Sequence, residues 1–142
     1  MWNETDDPED VDAAFERGDP HAGVMVIALA LNHPEAGAIL PRVARAMRSP
    51  DPEIRRQGVI ALAHTARLHG TVDRDSLDLL RARPRGNEAD DDLWSFVPHR
   101  RLPGWLWAYH WSQPSTWIWG LRRLRQATSM PKSPRRGSRP PG

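Results

Sequence analysis

Apolar residues recur at intervals of three and four along most of residues 10–97, which is the spacing of one buried face of an α-helix. Glycine, proline, asparagine and aspartate interrupt this pattern at short intervals, and such residues are typical of turns and helix caps. The chain is therefore predicted to be all-α. Six helices are expected, at 10–17, 21–31, 35–48, 52–69, 73–82 and 87–97.

The fourth predicted helix has the clearest boundaries. Asp51 can accept a backbone N–H as its N-cap, and Pro52 suits the first helical position because its missing donor is unpaired there anyway. Gly70 can end the helix in the left-handed conformation. The buried face is predicted to consist of small and aliphatic residues at helical spacing, namely Ile54, Gly58, Ala61, Leu62 and Thr65.

The two helices before it have different patterns. Residues 21–31 are apolar nearly all round, which predicts a central helix that is covered on several sides. Residues 35–48 are amphipathic, and their three arginines are expected to face outward. The residues of this helix that are expected to face inward are Ala36, Ile39, Leu40, Val43, Ala44 and Met47.

Two segments of the chain resemble each other. Asp19-Pro20 recurs as Asp51-Pro52, 32 residues later, and the sequence Val-Ile-Ala-Leu-Ala of 26–30 recurs at 59–63. A fixed offset of this size is typical of stacked helical repeats, in which each helix pair buries its apolar face against its neighbours. The alternative is an ordinary bundle of four to six helices with an accidental similarity.

The second copy of the repeated segment resembles a HEAT repeat, in which an acid is followed by an aliphatic–arginine pair and then by small residues. The resemblance implies a short HEAT-like α-solenoid, with Asp51 and Arg55 joining adjacent repeats through charged hydrogen bonds. The first copy differs, because Ala22 stands where the arginine would fall. The residues that carry the resemblance are Asp51, Pro52, Ile54, Arg55, Gly58, Ala61, Leu62 and Gly70.

The longer run from Asp51 to Gly70, followed by Asp73, a leucine-rich helix and the segment 91–96, resembles small HEAT-like proteins of bacterial polymorphic-toxin loci. Those proteins are predicted immunity proteins, and the resemblance covers about residues 10–97. It implies a non-catalytic scaffold without a cofactor, which binds a cognate toxin and occludes its active cleft.

Composition agrees with a small binding protein. The chain has 142 residues and no cysteine, which excludes disulfides and thiolate metal sites. No secretory signal is recognisable, and the longest apolar run, at 23–31, is shorter than the roughly 20 residues that span a bilayer. A cytoplasmic protein with no transmembrane segment is therefore expected.

Candidate contact residues cluster near the end of the repeat region. The acidic residues Glu88, Asp90, Asp91 and Asp92, together with Trp94, are predicted to touch a protein partner. The same acids could instead bind a cation or simply form a solvated helix start. His64 and His69 are five residues apart, so they do not have the spacing of a zinc helix. No catalytic motif is recognisable, and the protein is expected not to be an enzyme.

The arginines support an alternative function. A helical repeat with a basic face can hold nucleic acid through phosphate contacts, and its binding would weaken steeply with salt. Arginines on exposed helix faces are, however, more often solvated than bound to a ligand. The residues concerned are Arg42, Arg45, Arg48, Arg55, Arg56 and Arg67.

The ends of the chain are opposite in charge. Residues 1–9 are predicted to form an acidic tail, whereas residues 98–142 carry nine basic residues and no acid, and the net charge is +2. Residues 98–126 form a Trp/Arg-rich extension, which could cap the repeats, contact a partner or a membrane surface, or be degenerate sequence. Residues 127–142 are rich in Pro, Arg, Ser and Gly and are predicted to be disordered.

Overall fold

The computed structural model describes residues 7–112, and every regular element in that range is helical, which confirms the all-α prediction there. The first six helices agree with the predicted ones to within two residues at each end. A 3₁₀ turn and a seventh helix follow, in the segment that was predicted only as an extension. The helices are α1 (Pro8–Glu16), α2 (Ala22–Asn32), α3 (Ala36–Met47), α4 (Pro52–His69), α5 (Arg74–Arg81), α6 (Glu88–Phe96) and α7 (Gly104–Ser112), and the 3₁₀ turn is His99–Arg101.

Side-chain caps start four of these helices. Asp7, Asp51, Asp73 and Asn87 each accept a hydrogen bond from a backbone N–H in the first turn of α1, α4, α5 and α6 respectively. Each cap pairs a donor that has no partner within the helix. Gly70 ends α4 with a φ of 63°, as predicted, and this left-handed conformation favours glycine.

The six helices of residues 8–96 are arranged in two rows. In the first row α3 contacts both α1 and α5, and in the second row α4 contacts both α2 and α6. Across the rows, α1 packs on α2 and α3 packs on α4. A connection of only a few residues joins the two helices of each of these pairs, so each pair forms an antiparallel hairpin.

Helix α4 lies in the middle of the packing. Its predicted buried face is buried in the structure, and the hydroxyl of Thr65 donates to the carbonyl oxygen of Ala61 at 2.7 Å. Gly58 lies where α3 approaches most closely, because a Cβ there would come within 2.9 Å of the Met47 backbone nitrogen. A small residue at position 58 therefore permits the two helices to touch.

Ion pairs join neighbouring helices of the first row. Arg42 in α3 binds both carboxylate oxygens of Asp12 in α1, with N–O distances of 3.1 and 2.6 Å. Arg48, also in α3, pairs with Asp75 in α5. Such two-pronged arginine–carboxylate contacts fix geometry as well as adding energy.

The residues that were expected to join adjacent repeats have a different role. Asp51 accepts from the backbone N–H of Glu53 at 2.9 Å, and Arg55 donates to the carbonyl oxygens of Ser49 and Pro50 at 2.9 and 3.0 Å. All of these bonds lie within the α3–α4 hairpin. The expectation for Asp51 and Arg55 is therefore corrected, because both stabilise the turn of their own hairpin.

The chain divides into two compact units at Leu106. The first unit includes the 3₁₀ turn and the start of α7, and Leu102 and Leu106 are buried. The packed region thus extends beyond the predicted boundary at residue 97, and α1 begins inside the predicted acidic tail. Of the second unit, residues 107–112 are described, and they belong to α7. The predictions for residues 1–6 and for residues 113–142, including the disordered tail, lie outside the described residues.

Candidate protein-binding surface

The predicted acidic contact residues belong to α6 and its N-terminal turn. Asn87 caps the helix by accepting from the backbone N–H groups of Ala89 and Asp90, both at 3.0 Å. Glu88, Asp90 and Asp91 then lie in the first turn, where the helix dipole favours negative charge. Part of this acidity is therefore accounted for by helix formation alone.

Asp90 is not a surface residue. Its side chain is fully buried, and its carboxylate accepts from Arg85 at 3.2 Å and from the backbone N–H of Gly86 at 2.7 Å. The Arg85 guanidinium also donates to the carbonyl oxygen of Leu80 and lies 4.3 Å from the centre of the Trp105 ring. This network holds the α5–α6 connection, so Asp90 is removed from the predicted contact set.

The sequence contained a signal for the burial of Asp90. Asp90, Leu93 and Val97 are separated by three and four residues, and all three are buried. Glu88, Asp91 and Asp92 lie on the opposite side of α6 and are exposed or half-buried. An acid within an apolar helical stripe is expected to be paired, because an isolated buried charge is costly. Arg85, its partner, was not singled out in the sequence.

Glu88 faces α4. Its carboxylate lies 4.0 Å from the guanidinium of Arg56, which also binds Glu53 at 2.8 Å. All three side chains are about half exposed. An ion pair of this exposure contributes little to stability, so these charges are available to be rearranged by a partner.

Asp92 lies beside His64 and Arg67 of α4, and the three groups affect one another. Partial burial raises the pKa of Asp92, and the charge of Arg67, together with that of His64 when its ring is protonated, partly opposes that rise. Burial, and then the charge of Arg67, lower the pKa of His64 below its ordinary value. Arg67 donates to Nδ1 of His64 at 2.5 Å. A guanidinium can only donate, so His64 is neutral in this arrangement.

Trp94 lies on the opposite side of α6 from Asp92. It follows Asp92 by two residues, which turns it by about 200° around the helix, but it follows Asp91 by three and so lies beside it. Its ring stacks on that of His99 with 3.8 Å between ring centres, and the Nε2 atom of His99 is 2.7 Å from the Trp94 carbonyl oxygen. The predicted contact set is therefore spread around α6: Glu88 and Asp92 lie beside α4, Trp94 lies on the far side from Asp92, and Asp91 lies between them.

The second-row helices run in the same direction. Arg56 meets Glu88 near the N-terminal ends of α4 and α6, whereas a Cβ at Gly70, after the end of α4, would lie 3.3 Å from the carbonyl oxygen of Phe96. Gly23, near the start of α2, lies against the side chain of Gln57 near the start of α4. The C-terminal ends of these three helices therefore lie on the same side of the protein.

Apolar side chains are exposed on these same helices. Leu31 of α2, Leu68 of α4 and Phe96 of α6 are 47%, 48% and 46% exposed and lie at the C-terminal ends of their helices. We call the exposed side of α2, α4 and α6 the second-row face. It consists of Val24, Ile27, Leu31, Arg56, Ile60, His64, Arg67, Leu68, Glu88, Asp91, Asp92 and Phe96.

The apolar part of this face was not predicted from the sequence. The all-round apolar character of residues 21–31 predicts a helix covered on several sides, and the structure leaves one side open: Val24 and Ile27 are half-buried and Leu31 is exposed. Those three residues are spaced by three and four, so they form one stripe. Apolar side chains grouped at a surface are typical of protein interaction sites.

The predicted arginine surface is divided between the two rows. Arg42, Arg45 and Arg48 belong to α3 in the first row, whereas Arg56 and Arg67 belong to α4 in the second. Arg42 and Arg48 are paired with acids, and Arg55 is bound to the carbonyl oxygens of its own turn. These side chains do not form one continuous basic face.

Residues 7–112 contain no group of three or more histidine, cysteine, aspartate or glutamate side chains that could hold a metal ion. No helix among the described residues is both long and apolar enough to cross a membrane. Comparison of the chain with protein-family models, with curated proteins and with solved structures gives no significant match.

Proposed function

We propose that this protein is a non-catalytic, HEAT-like protein-binding scaffold and that it acts as an immunity protein towards a cognate bacterial toxin. The toxin would be bound on the second-row face and its active cleft blocked. This proposal combines the resemblance of residues 10–97 with the surface described above. Neutralisation would be steric and electrostatic, and no bond would be made or broken.

The packing of the hairpins supports the HEAT-like part of the proposal. Each row brings together alternate helices of the chain, as stacked helix pairs do. The repeated Asp-Pro turns lie at the same place in the first two hairpins, since Asp19 precedes α2 and Asp51 precedes α4. The 33-residue offset between the similar segments 26–30 and 59–63 places those segments in adjacent helices of the second row.

The observation that carries the binding proposal is the mixed character of the second-row face. Exposed apolar side chains lie at the ends of three neighbouring helices, and charged groups lie beside them on α4 and α6. Protein interfaces combine an apolar centre with a polar rim in this way. Leu68 and Phe96 would supply the centre, and Arg67 and Asp92 would supply part of the rim.

The test is a pull-down of the full chain with the product of the adjacent gene. We expect stoichiometric capture by the unaltered chain. Leu68→Asp places a charge in the apolar part of the face and should weaken capture at least tenfold, because the carboxylate would have to be desolvated. Leu68 is half exposed, so the substitution should leave the fold intact.

Arg74→Asp is the matched control. Arg74 is exposed in the first turn of α5, in the first row, and an acid is favoured at a helix N-terminus. This variant should bind as the unaltered chain does and should protect cells in co-expression with the toxin. Equal capture of the toxin by the Leu68→Asp and Arg74→Asp variants would refute the assignment of toxin binding to the second-row face. Failure of the unaltered chain to bind or protect would refute the immunity function.

The nucleic-acid alternative receives less support from the charges. A continuous basic face is what phosphate contacts require, and the arginines are divided between the two rows and largely paired. The direct check is electrophoretic mobility of DNA and RNA at low salt. A shift that disappears steeply as salt rises would favour this alternative over the protein-binding scaffold.

A further inference from the structure

A groove lies where the turns of the first two hairpins meet, separate from the second-row face. It encloses about 510 Å³, within the range of ligand-binding pockets, which is about 300–1,000 Å³. Its walls come from the end of α1, the end of α3 and the two Asp-Pro turns. The lining includes Phe15, Asp19, Pro20, Arg45, Pro50 and Asp51.

Two arginines line this groove, and Arg45 is the one that has no close carboxylate partner of its own. The nearest carboxylate, that of Asp12, lies 3.9 Å away, and both of its oxygens already accept from Arg42. Arg45 donates no hydrogen bond to any residue within the described range 7–112. By contrast, Arg48 is paired with Asp75.

The Arg45 guanidinium is also held in place. It lies over the ring of Phe15, 4.9 Å from the ring centre, and this contact favours one placement of the side chain. A planar guanidinium of this kind suits a carboxylate, which can accept two parallel hydrogen bonds. Restricting the side chain in advance lowers the entropy lost on binding.

The remaining walls restrict the kind of anion. Asp19 and Asp51 line the groove, and the pKa of Asp19 is lowered, chiefly by the hydrogen bond from the His21 backbone N–H, so Asp19 stays ionised. Two nearby carboxylates oppose a multiply charged anion such as phosphate more strongly than a single carboxylate. Pro20 and Pro50, which are exposed, add apolar surface beside the charged positions.

We propose that this groove binds an extended peptide segment in which a glutamate or aspartate side chain is flanked by apolar residues. The carboxylate would pair with Arg45, and the flanking side chains would pack on Phe15, Pro20 and Pro50. The proposal does not depend on the toxin-binding function, because it concerns a different surface and a different set of residues.

The test uses the full chain, labelled with ¹⁵N, and two defined peptide pools. The probe pool consists of N-acetylated pentapeptide amides with central glutamate and with leucine, valine or phenylalanine on each side. The comparison pool has glutamine at the centre. We expect saturable shifts of the backbone resonances of Phe15, Gly18 and Ile54 with the glutamate pool, and at least tenfold weaker binding of the glutamine pool.

Two variants make the result specific. Arg45→Gln should reduce binding of the glutamate pool at least tenfold, whereas Arg81→Gln, which removes an exposed arginine of α5, should not change it. Circular dichroism will show that both variants are folded. The proposal is overturned by shifts that lie elsewhere, by equal affinity for the two pools, by binding that survives Arg45→Gln, or by no binding of either pool.

Discussion

At the scale of single residues, Gly58 limits how closely the first and second rows can pack. A Cβ at this position would come within 2.9 Å of the Met47 backbone nitrogen and within 3.0 Å of the Ala46 Cβ. Neither atom is the free end of a flexible side chain. The helices would therefore have to move apart to admit even one methyl group, and interiors are packed too densely to absorb such a shift.

We expect Gly58→Ala to lower the free energy of unfolding by about 1–3 kcal/mol, the usual cost of overpacking. Urea denaturation followed by circular dichroism measures it. Gly37→Ala is the matched control, because nothing lies within 4 Å of a Cβ at Gly37 in α3. That substitution should raise stability by about 0.4–1 kcal/mol, since alanine favours the helix. Equal effects of the two substitutions would contradict the close approach at Gly58.

At the scale of elements, helices α4 and α6 meet at a contact between two titratable side chains, His64 and Asp92. Asp92 of α6 raises the pKa of His64 in α4, against the larger lowering by burial and by Arg67. Asp92→Asn should therefore lower the pKa of His64 further. Asp91→Asn is the control, because Asp91 is exposed and does not contribute to the pKa of His64. Nuclear magnetic resonance of the histidine ring protons gives each pKa. A pKa of His64 that is equal in the two variants would contradict the predicted contact.

The same contact fixes the sign of one pH effect on stability. The folded pKa of His64 lies below its ordinary value of 6.5, so the folded state binds the proton less readily than the unfolded state. The contribution of His64 to the free energy of unfolding is therefore fully present above about pH 6.5 and is lost as the pH falls through the folded pKa. His64→Gln should make stability less dependent on pH in that window.

The elements themselves could largely be predicted from the sequence, for a physical reason. The caps at Asp51 and Gly70 and the buried stripe of α4 depend on residues within the same helix, so their spacing suffices to find them. The roles of Arg55 and Asp90 depend on the conformation of the turns that precede their helices, which helical spacing does not describe. Asp90 was predicted to be a surface contact because its partners, the Arg85 guanidinium and the Gly86 backbone N–H, lie outside α6.

The candidate surface was harder to predict than the helices that form it. The exposed acids of α6 were predicted, but their apolar neighbours come from three helices that are far apart in the chain. Leu31, Leu68 and Phe96 lie at equivalent ends only because α2, α4 and α6 run side by side in the same direction. Helical periodicity shows that a helix has an apolar stripe, but it does not show which apolar stripe has no other helix packed against it.

At the scale of the first unit, the two-row packing implies unequal local stability. Helix α4 contacts α2, α3 and α6, and its buried residues include Leu62 and Ala63. Helix α5 has eight residues and packs chiefly against α3, where the exposed Arg48–Asp75 pair joins them. Segments with few buried contacts open locally at a lower free energy than the whole domain.

We therefore expect the backbone amide of Leu62 to exchange with solvent only on global unfolding, and that of Leu80 in α5 to exchange through a smaller local opening. Native-state hydrogen exchange at increasing urea distinguishes them, because global unfolding depends steeply on denaturant and local opening does not. Arg48→Met removes a solvent-exposed ion pair worth at most about 1 kcal/mol, so exchange of Leu80 should accelerate by up to about fivefold. The same variant should leave the exchange of Leu62 nearly unchanged. The contrary result is that the amides of Leu80 and Leu62 exchange with the same free energy and respond together to Arg48→Met. In that case α5 would belong to the same cooperative unit as α4. The inference that α5 opens alone because it has few contacts would then be wrong.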